Sequence, residues 1–384
     1  MLKIISSNGA MSNNDFQIFV KPVGAECNLH CRYCYYLEKS SLHAESGMMD
    51  DEVLERYISS HLEACTDETV NFSWHGGEPL LAGIEFFRKA IILQKKYMPA
   101  GVRVNNGIQT NGTLLNDEWC RFLAEEKFFV GLSIDGSQEL HNKFRLNREG
   151  YPSFSRAVNG YKLLLKNKIV PEILCVINSE NVKHPIKVYD FFRKLGARYI
   201  TFLPLVERMP GQPYGVSDAT VPSLAFGIFL SRIFDKWIQD GIGEIKIQIF
   251  EEAARTAFNQ DHTLCIFKKT CGGVPVIERN GDFYSCDHYV DKEHLIGNIR
   301  EKSINDLLNN PQQLIFGQVK LNTLPGYCIN CMVRDMCNGE CPKNRFILSP
   351  EGEPGLNYLC DGYRYFFNHC RPFVEAIALV YRSS

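Results

Sequence analysis

Three cysteines near the start of the chain, Cys27, Cys31 and Cys34, stand in the order C-x3-C-x2-C. Thiolates at that spacing can hold three corners of a cubane iron–sulfur cluster. The next cysteine is Cys65, far downstream, so one iron would be left open for a small ligand. Clusters that only carry electrons have every iron capped by protein, whereas an open position marks a catalytic metal. Taken alone, the motif also allows a zinc knuckle.

A second set comprises Cys265, Cys271 and Cys286, then Cys328, Cys331, Cys337, Cys341 and Cys360. Eight thiolates are the right number for two fully ligated four-iron clusters, and equally for two zinc sites. Ligand softness does not separate the two metals, but the open motif upstream favours iron–sulfur. The remaining Cys65, Cys120, Cys175 and Cys370 lie in apolar, helix-like or strand-like settings and are expected as buried thiols. Fifteen cysteines without a signal peptide point to metal or redox chemistry rather than to disulfides.

The elements that must position these groups alternate regularly. Apolar, β-branched runs at Phe16–Val23, Val70–Trp74, Val102–Gln109, Phe129–Ile134, Ile173–Ile177 and Tyr199–Pro204 read as buried parallel strands. Helical patterns lie between them at Asp51–Ala64, Glu85–Tyr97, Asp117–Glu126, Phe154–Lys168 and Pro185–Leu195. Asp50 or Asp51 and Asn116 are expected N-caps, and Gly196 a C-terminal stop. The layout is parallel α/β, either a doubly wound sheet or a partial barrel. Ligands in such folds gather at the carboxyl ends of the strands. The cysteine loop, His75-Gly76-Gly77-Glu78-Pro79, Gln109-Thr110-Asn111-Gly112 and Ser133-Ile134-Asp135-Gly136 all fall there.

A net charge of −2 gives no basic surface for nucleic acid, and no apolar run is long enough to span a membrane. The missing signal peptide and the oxygen sensitivity of an exposed cluster lead to the expectation of a cytoplasmic location. The expected organisation is a flexible leader at 1–15, an α/β barrel-like domain at 16–215 and a helical connection at 216–263. A cysteine-rich domain at 264–375 and a tail at 376–384 complete it.

With these residues in hand, the chain resembles the radical S-adenosylmethionine (SAM) enzymes, whose signature C-x3-C-x-aromatic-C is met by Cys27, Cys31, Tyr33 and Cys34. The C-terminal cysteines resemble the SPASM extension. The likeness narrows to the anaerobic sulfatase-maturating enzymes. It is carried by Val-Lys-Pro-Val-Gly, Ile-Gln-Thr-Asn-Gly-Thr, Gly-Leu-Ser-Ile-Asp-Gly, Tyr-Ser-Cys-Asp-His-Tyr and Cys-Asn-Gly-Glu-Cys-Pro-Lys-Asn-Arg-Phe.

That resemblance implies a partial (β/α)6 radical SAM barrel with a C-terminal domain holding two auxiliary clusters. It implies three [4Fe-4S] clusters and SAM as cofactors. The implied activity is oxidation of a cysteine or serine in a sulfatase polypeptide to Cα-formylglycine. The implied partners are an unfolded or nascent Cys/Ser-x-Pro-x-Arg segment and an external one-electron reductant such as flavodoxin or ferredoxin. Cys265, Cys271, Cys286 and Cys341 would hold the first auxiliary cluster; Cys328, Cys331, Cys337 and Cys360 would hold the second. Gly76 and Gly77 would let backbone approach the methionine end of SAM. Ser133 and Asp135 would contact the ribose, Arg145 the carboxylate, and Val206 and the Tyr33 backbone the adenine. Asp287 matches the family's proton acceptor. His75 and Tyr36 are expected substrate contacts. Two other readings stay open at this point: a related enzyme that crosslinks or epimerises ribosomal peptides, and a non-catalytic zinc scaffold.

Overall fold

Seven strands run parallel in strict chain order: β1 (Phe19–Lys21), β2 (Thr69–Trp74), β3 (Arg103–Thr110), β4 (Phe129–Ser133), β5 (Glu172–Ile177), β6 (Tyr199–Pro204) and the two-residue β7 (Lys246–Ile247). A doubly wound sheet reverses its order at a switch point. This sheet does not, and its order is that of a barrel opened along one side. The expected six-stranded unit is β1–β6, and β7 extends it. The computed structural model describes residues 16–37, 39 and 47–383. The leader expected at 1–15 lies outside the described residues.

Helices α1 (Asp51–Ala64), α2 (Ile84–Tyr97), α3 (Asp117–Glu125), α4 (Gln138–Asn142), α5 (Phe154–Lys166) and α6 (Pro185–Leu195) connect the strands. Local chemistry sets their ends. The Asp50 side chain accepts from Val53 N at 2.9 Å and Asn116 from Trp119 N at 2.8 Å. Gly196, at φ +81°, closes α6 in the left-handed conformation that suits glycine. The short α4 and the segment after it bring Arg145 back toward the cysteine loop.

After α7 (Ser223–Asp240) and α8 (Gln248–Ala257) the chain returns to the other side of β1. There β8 (Val276–Glu278) pairs parallel with β1, Lys21 opposite Glu278. A turn through Gly281, at φ +92°, leads into the antiparallel β9 (Asp282–Tyr284), followed by β10 (Leu295–Asn298). One ten-stranded sheet thus runs through both halves, with β1 at the joint. Beyond it come α9 (Ile304–Leu308), α10 (Pro311–Asn322), α11 (Gly326–Ile329), α12 (Arg334–Cys337), the hairpin β11 (Arg345–Leu348)–β12 (Pro354–Asn357), and α13 (Cys360–Ser383). Residues 376–383, expected as a tail, continue α13, whose Ala378 is still buried.

Helices α7 and α13 touch backbone to backbone. A Cβ on Gly227 would lie 2.3 Å from the Gly362 carbonyl oxygen, and one on Gly362 would lie 2.1 Å from that of Ser223. No side chain fits at that crossing. Cys120, Cys175 and Cys370 are fully buried, and Cys65, at the end of α1, packs on the core. All four are structural thiols.

Candidate active site

The loop carrying Cys27, Cys31 and Cys34 leaves β1 and is held on two sides. His30 N donates to Leu146 O at 2.7 Å and Arg32 N to Phe144 O at 2.9 Å, so the segment bearing Arg145 lies alongside the cysteines. On the other side Gly77 N donates to Gly24 O and Glu78 N to Glu26 O, both at 2.8 Å. A Cβ on Gly77 would sit 2.0 Å from Glu26 O, and Gly76 has φ +121°. The glycine pair is therefore required for β2 to dock on the cysteine loop, whatever ligand it also admits.

Polar groups complete the loop. Cys27 Sγ receives Leu29 N at 3.3 Å and Asn111 Nδ2 at 3.7 Å. Asn111 is braced by Asn28 at 2.9 Å, and Asn28 by Thr113 at 2.8 Å. Glu78, fully buried, accepts from Thr110 Oγ1, Asn111 N and Leu80 N. Burial raises its pKa to about 7, against the lowering effect of those hydrogen bonds. Burial likewise pushes Cys27 to about 11 and Cys31 to about 12. Metal binding at these thiols would release protons.

Ser133 ends β4, buried, and its hydroxyl has no hydrogen bond among the described residues. Val206 is buried just beyond β6. Arg145 is buried too, with Tyr33 stacked 5.5 Å from its guanidinium. Asp135, placed at the ribose by resemblance, is wholly buried and both of its oxygens are occupied. Oδ1 accepts from Val176 N at 3.0 Å and Arg145 Nη2 at 3.2 Å; Oδ2 accepts from Arg145 Nε at 2.8 Å and from the Tyr33 hydroxyl. Asp135 orients Arg145, whose Nη1 has no hydrogen bond among the described residues and remains available to an anion.

The second cysteine set divides into two groups of four. Each of Cys265, Cys271, Cys286 and Cys341 shares electrostatic interactions with others of that group, and Cys328, Cys331, Cys337 and Cys360 do the same among themselves. The latter four also line a single cavity between α11, α12 and the start of α13. Four thiols around one void suit a fully ligated soft-metal centre.

Asp287 lies between the N-terminal cysteine loop and the first of these groups. Asp287 follows Cys286 and is 13 % exposed. It is paired with the Lys21 ammonium and accepts the Tyr35 hydroxyl. Burial alone would raise its pKa; Lys21, His288 and the Tyr35 hydroxyl outweigh that and hold it well below the usual carboxylate range. His75 stacks on Phe19, ring centroids 3.9 Å apart, and burial lowers its pKa to about 4. It is thus a packed, neutral ring close to Asp287. Tyr36 is 3 % exposed, donates its hydroxyl to Glu278, and lies under Lys21, edge-on to Tyr35. The accessible tyrosine is Tyr35, 42 % exposed, which the sequence reading passed over. Lys21 was also missed, though a lysine inside an apolar strand was a visible signal.

A model of the radical SAM superfamily matches residues 22–192, and one of an iron–sulfur cluster-binding domain matches residues 271–332. A serine-type anaerobic sulfatase-maturating enzyme of Bacteroides thetaiotaomicron is 42 % identical over 93 % of this chain and 90 % of its own. The chain belongs to the anaerobic sulfatase-maturating enzymes. A cysteine-type maturase of Clostridium perfringens is 32 % identical over 94 % of this chain and 98 % of its own. The maturase also superposes on a solved structure described as native anSMEcpe with bound AdoMet and Cp18Cys peptide, at TM-score 0.86 and 31 % identity, covering 94 % of this chain and 98 % of that one. Streptococcus suis SuiB, at 16 % identity and TM-score 0.63, covering 89 % of this chain and 76 % of that one, shares the fold. Among the described residues of the maturase, no helix is long and apolar enough to cross a membrane.

Proposed function

We propose that this enzyme converts a cysteine or serine in a Cys/Ser-x-Pro-x-Arg segment of a sulfatase polypeptide to Cα-formylglycine, without oxygen, in the cytoplasm. The observation that carries the reading is the placing of Asp287 between two metal-ligand sets: next to Cys286 in sequence, and joined through Tyr35 to the loop of Cys34. Cys27, Cys31 and Cys34 would hold a [4Fe-4S] cluster with one open iron, and the two groups of four would hold one closed cluster each. When bound, SAM would supply hydrogen-abstracting radical chemistry, the closed clusters an electron sink, and a flavodoxin- or ferredoxin-like donor the reducing equivalent.

The chain's own residues position and deprotonate. Gly76 and Gly77 would border the methionine end of SAM, Arg145 would meet its carboxylate, Ser133 its ribose, and Val206 and the Tyr33 backbone its adenine. Asp287, whose ionised form the Lys21 ammonium and the Tyr35 hydroxyl favour, accepts the proton that leaves the substrate hydroxyl or thiol. For serine, one hydrogen atom, one electron and one proton leave, which is the loss of a hydrogen molecule. Cysteine loses the same and exchanges sulfur for oxygen with water. The neutral His75 ring borders this space.

Incubating the iron-loaded enzyme with SAM, a reductant and matched serine and cysteine peptides, read by mass spectrometry, tests the reaction. The expected products carry those two mass changes at the target residue. A crosslink or an unchanged mass would refute the reading. Asp287→Asn should lower aldehyde formation at least about 100-fold while 5′-deoxyadenosine still forms.

A further inference from the structure

We propose that Lys21 is a positioning residue for the oxidation: its ammonium fixes the Asp287 carboxylate where the substrate's proton departs. This rests on the reading of Asp287 given above.

Lysine is rarely buried without a partner. Lys21 is 2 % exposed, inside the sheet, with Asp287 as its charged partner and the face of Tyr36 3.3 Å from its nitrogen. Its backbone has little freedom. β1 is paired on both sides, with Lys21 opposite Glu278 in β8 and Val20 opposite Trp74 in β2, and Pro22 follows. The stem is thus aimed from a strand paired on both sides at a carboxylate that sits in a turn after β9. Asp287 itself has no regular element to fix it. Lys21 at Oδ1 and the Tyr35 hydroxyl at Oδ2 clamp the group from two sides. A carboxylate has about four lone-pair sites, so each oxygen keeps one for a substrate hydrogen.

A pair serving only stability would be poorly designed, because apolar residues of similar volume do as well or better in such places. This pair instead links the Cys286 turn to Tyr35 and Tyr36 beside Cys34, across the space where the substrate must lie. Losing the clamp lets the base drift, and a misplacement of about 1 Å is enough to cost about 100-fold in rate.

The test compares Lys21→Gln, Lys21→Arg, Asp287→Asn and the Lys21→Gln/Asp287→Asn double variant in the full-length, iron-loaded enzyme. Formylglycine and 5′-deoxyadenosine are measured together, with peptide KM and the electron paramagnetic resonance change on adding SAM. Lys21→Gln should lower kcat for aldehyde about 100-fold, with peptide KM and the SAM-induced spectrum unchanged, so that deoxyadenosine is released without product. Lys21→Arg, which keeps the charge, should recover at least about tenfold of that loss. The double variant should be no worse than Asp287→Asn, because Lys21 acts through Asp287.

A normal ratio of aldehyde to deoxyadenosine in Lys21→Gln would overturn the proposal, and so would equal loss of both products or multiplicative loss in the double variant. Should Lys21→Gln fail to retain its iron, the arginine variant carries the test: its loss must vanish in the Asp287→Asn background, and persistence there overturns the proposal. Normal aldehyde formation by Asp287→Asn alone would instead remove the proton-acceptor reading and this inference with it.

Discussion

In the Asp135–Arg145 pair one buried carboxylate is fully engaged while the guanidinium keeps a donor to spare. The guanidinium fork meets both carboxylate oxygens, and Val176 N and the Tyr33 hydroxyl fill the remaining positions. Breaking such a pair strands a charge in the interior. Asp135→Ala should therefore cost about 3–5 kcal/mol in anaerobic denaturant unfolding and weaken SAM binding, while an exposed pair such as Lys166–Asp117 should contribute little. An unchanged unfolding midpoint in Asp135→Ala would show that Arg145 is anchored by other groups. The types and spacing of the cysteines were legible in the sequence because ligation restricts residue type and separation so tightly. The saturation of Asp135 was not, since its partners come from β5, the cysteine loop and the segment after α4. The same holds for Tyr36, where adjacent tyrosines give no clue as to which one faces inward.

Among the elements, α13 links the second auxiliary group to the barrel. It begins at Cys360, one of the four thiols lining the cavity, and two residues later Gly362 lies against the backbone of α7. A methyl group there has no side chain to push aside. Gly362→Ala should destabilise the protein by about 3 kcal/mol, at the upper end for overpacking. It should also displace Cys360, so that purified protein retains about eight irons rather than about twelve. Full iron content in that variant would show that the helices can slide apart at no cost to the centre. Helix boundaries were readable to within a residue or two where caps and periodicity agree, as at Asp50, Asn116 and Gly196. β1 was read too long, as Phe16–Val23, because apolar character continues past the residues that find partners. β7 was missed because two residues carry no period, and only pairing with β6 defines them.

For the whole molecule, buried ionisable groups set the response to pH. His61, His75, His141 and His288 have pKa values lowered to about 3, 4, 4 and 4, burial being the largest cause in each. A depressed histidine binds its proton only on unfolding, so the stability it contributes is present above about pH 6.5 and lost as pH falls toward 4. Glu78 works in the opposite direction. Its raised pKa means stability is greatest below the unfolded value and declines as pH rises through about 7. Glu251 and Glu340, also raised by burial, act as Glu78 does, so four histidines stand against three carboxylates and decide the sign. Denaturant midpoints of the iron-loaded enzyme should be lower at pH 5.5 than at 7.5, and Glu78→Gln should steepen that difference. Equal midpoints at the two values would mean that the histidines are solvated in the folded state.

The sheet joint has a further consequence for how the protein can be divided. β1 is bordered by β2 on one side and β8 on the other, and the buried Ile18 and Val20 belong to it or adjoin it. A chain cut after residue 263 would leave that strand as an unprotected edge, with unpaired amides and carbonyls flanked by apolar side chains, which is a template for intermolecular pairing. Such a fragment should elute as large assemblies in size-exclusion chromatography. A monodisperse fragment would show that some other segment shields the edge. On this view the two chemical halves are not interchangeable modules but a single folding unit, built outward from three residues.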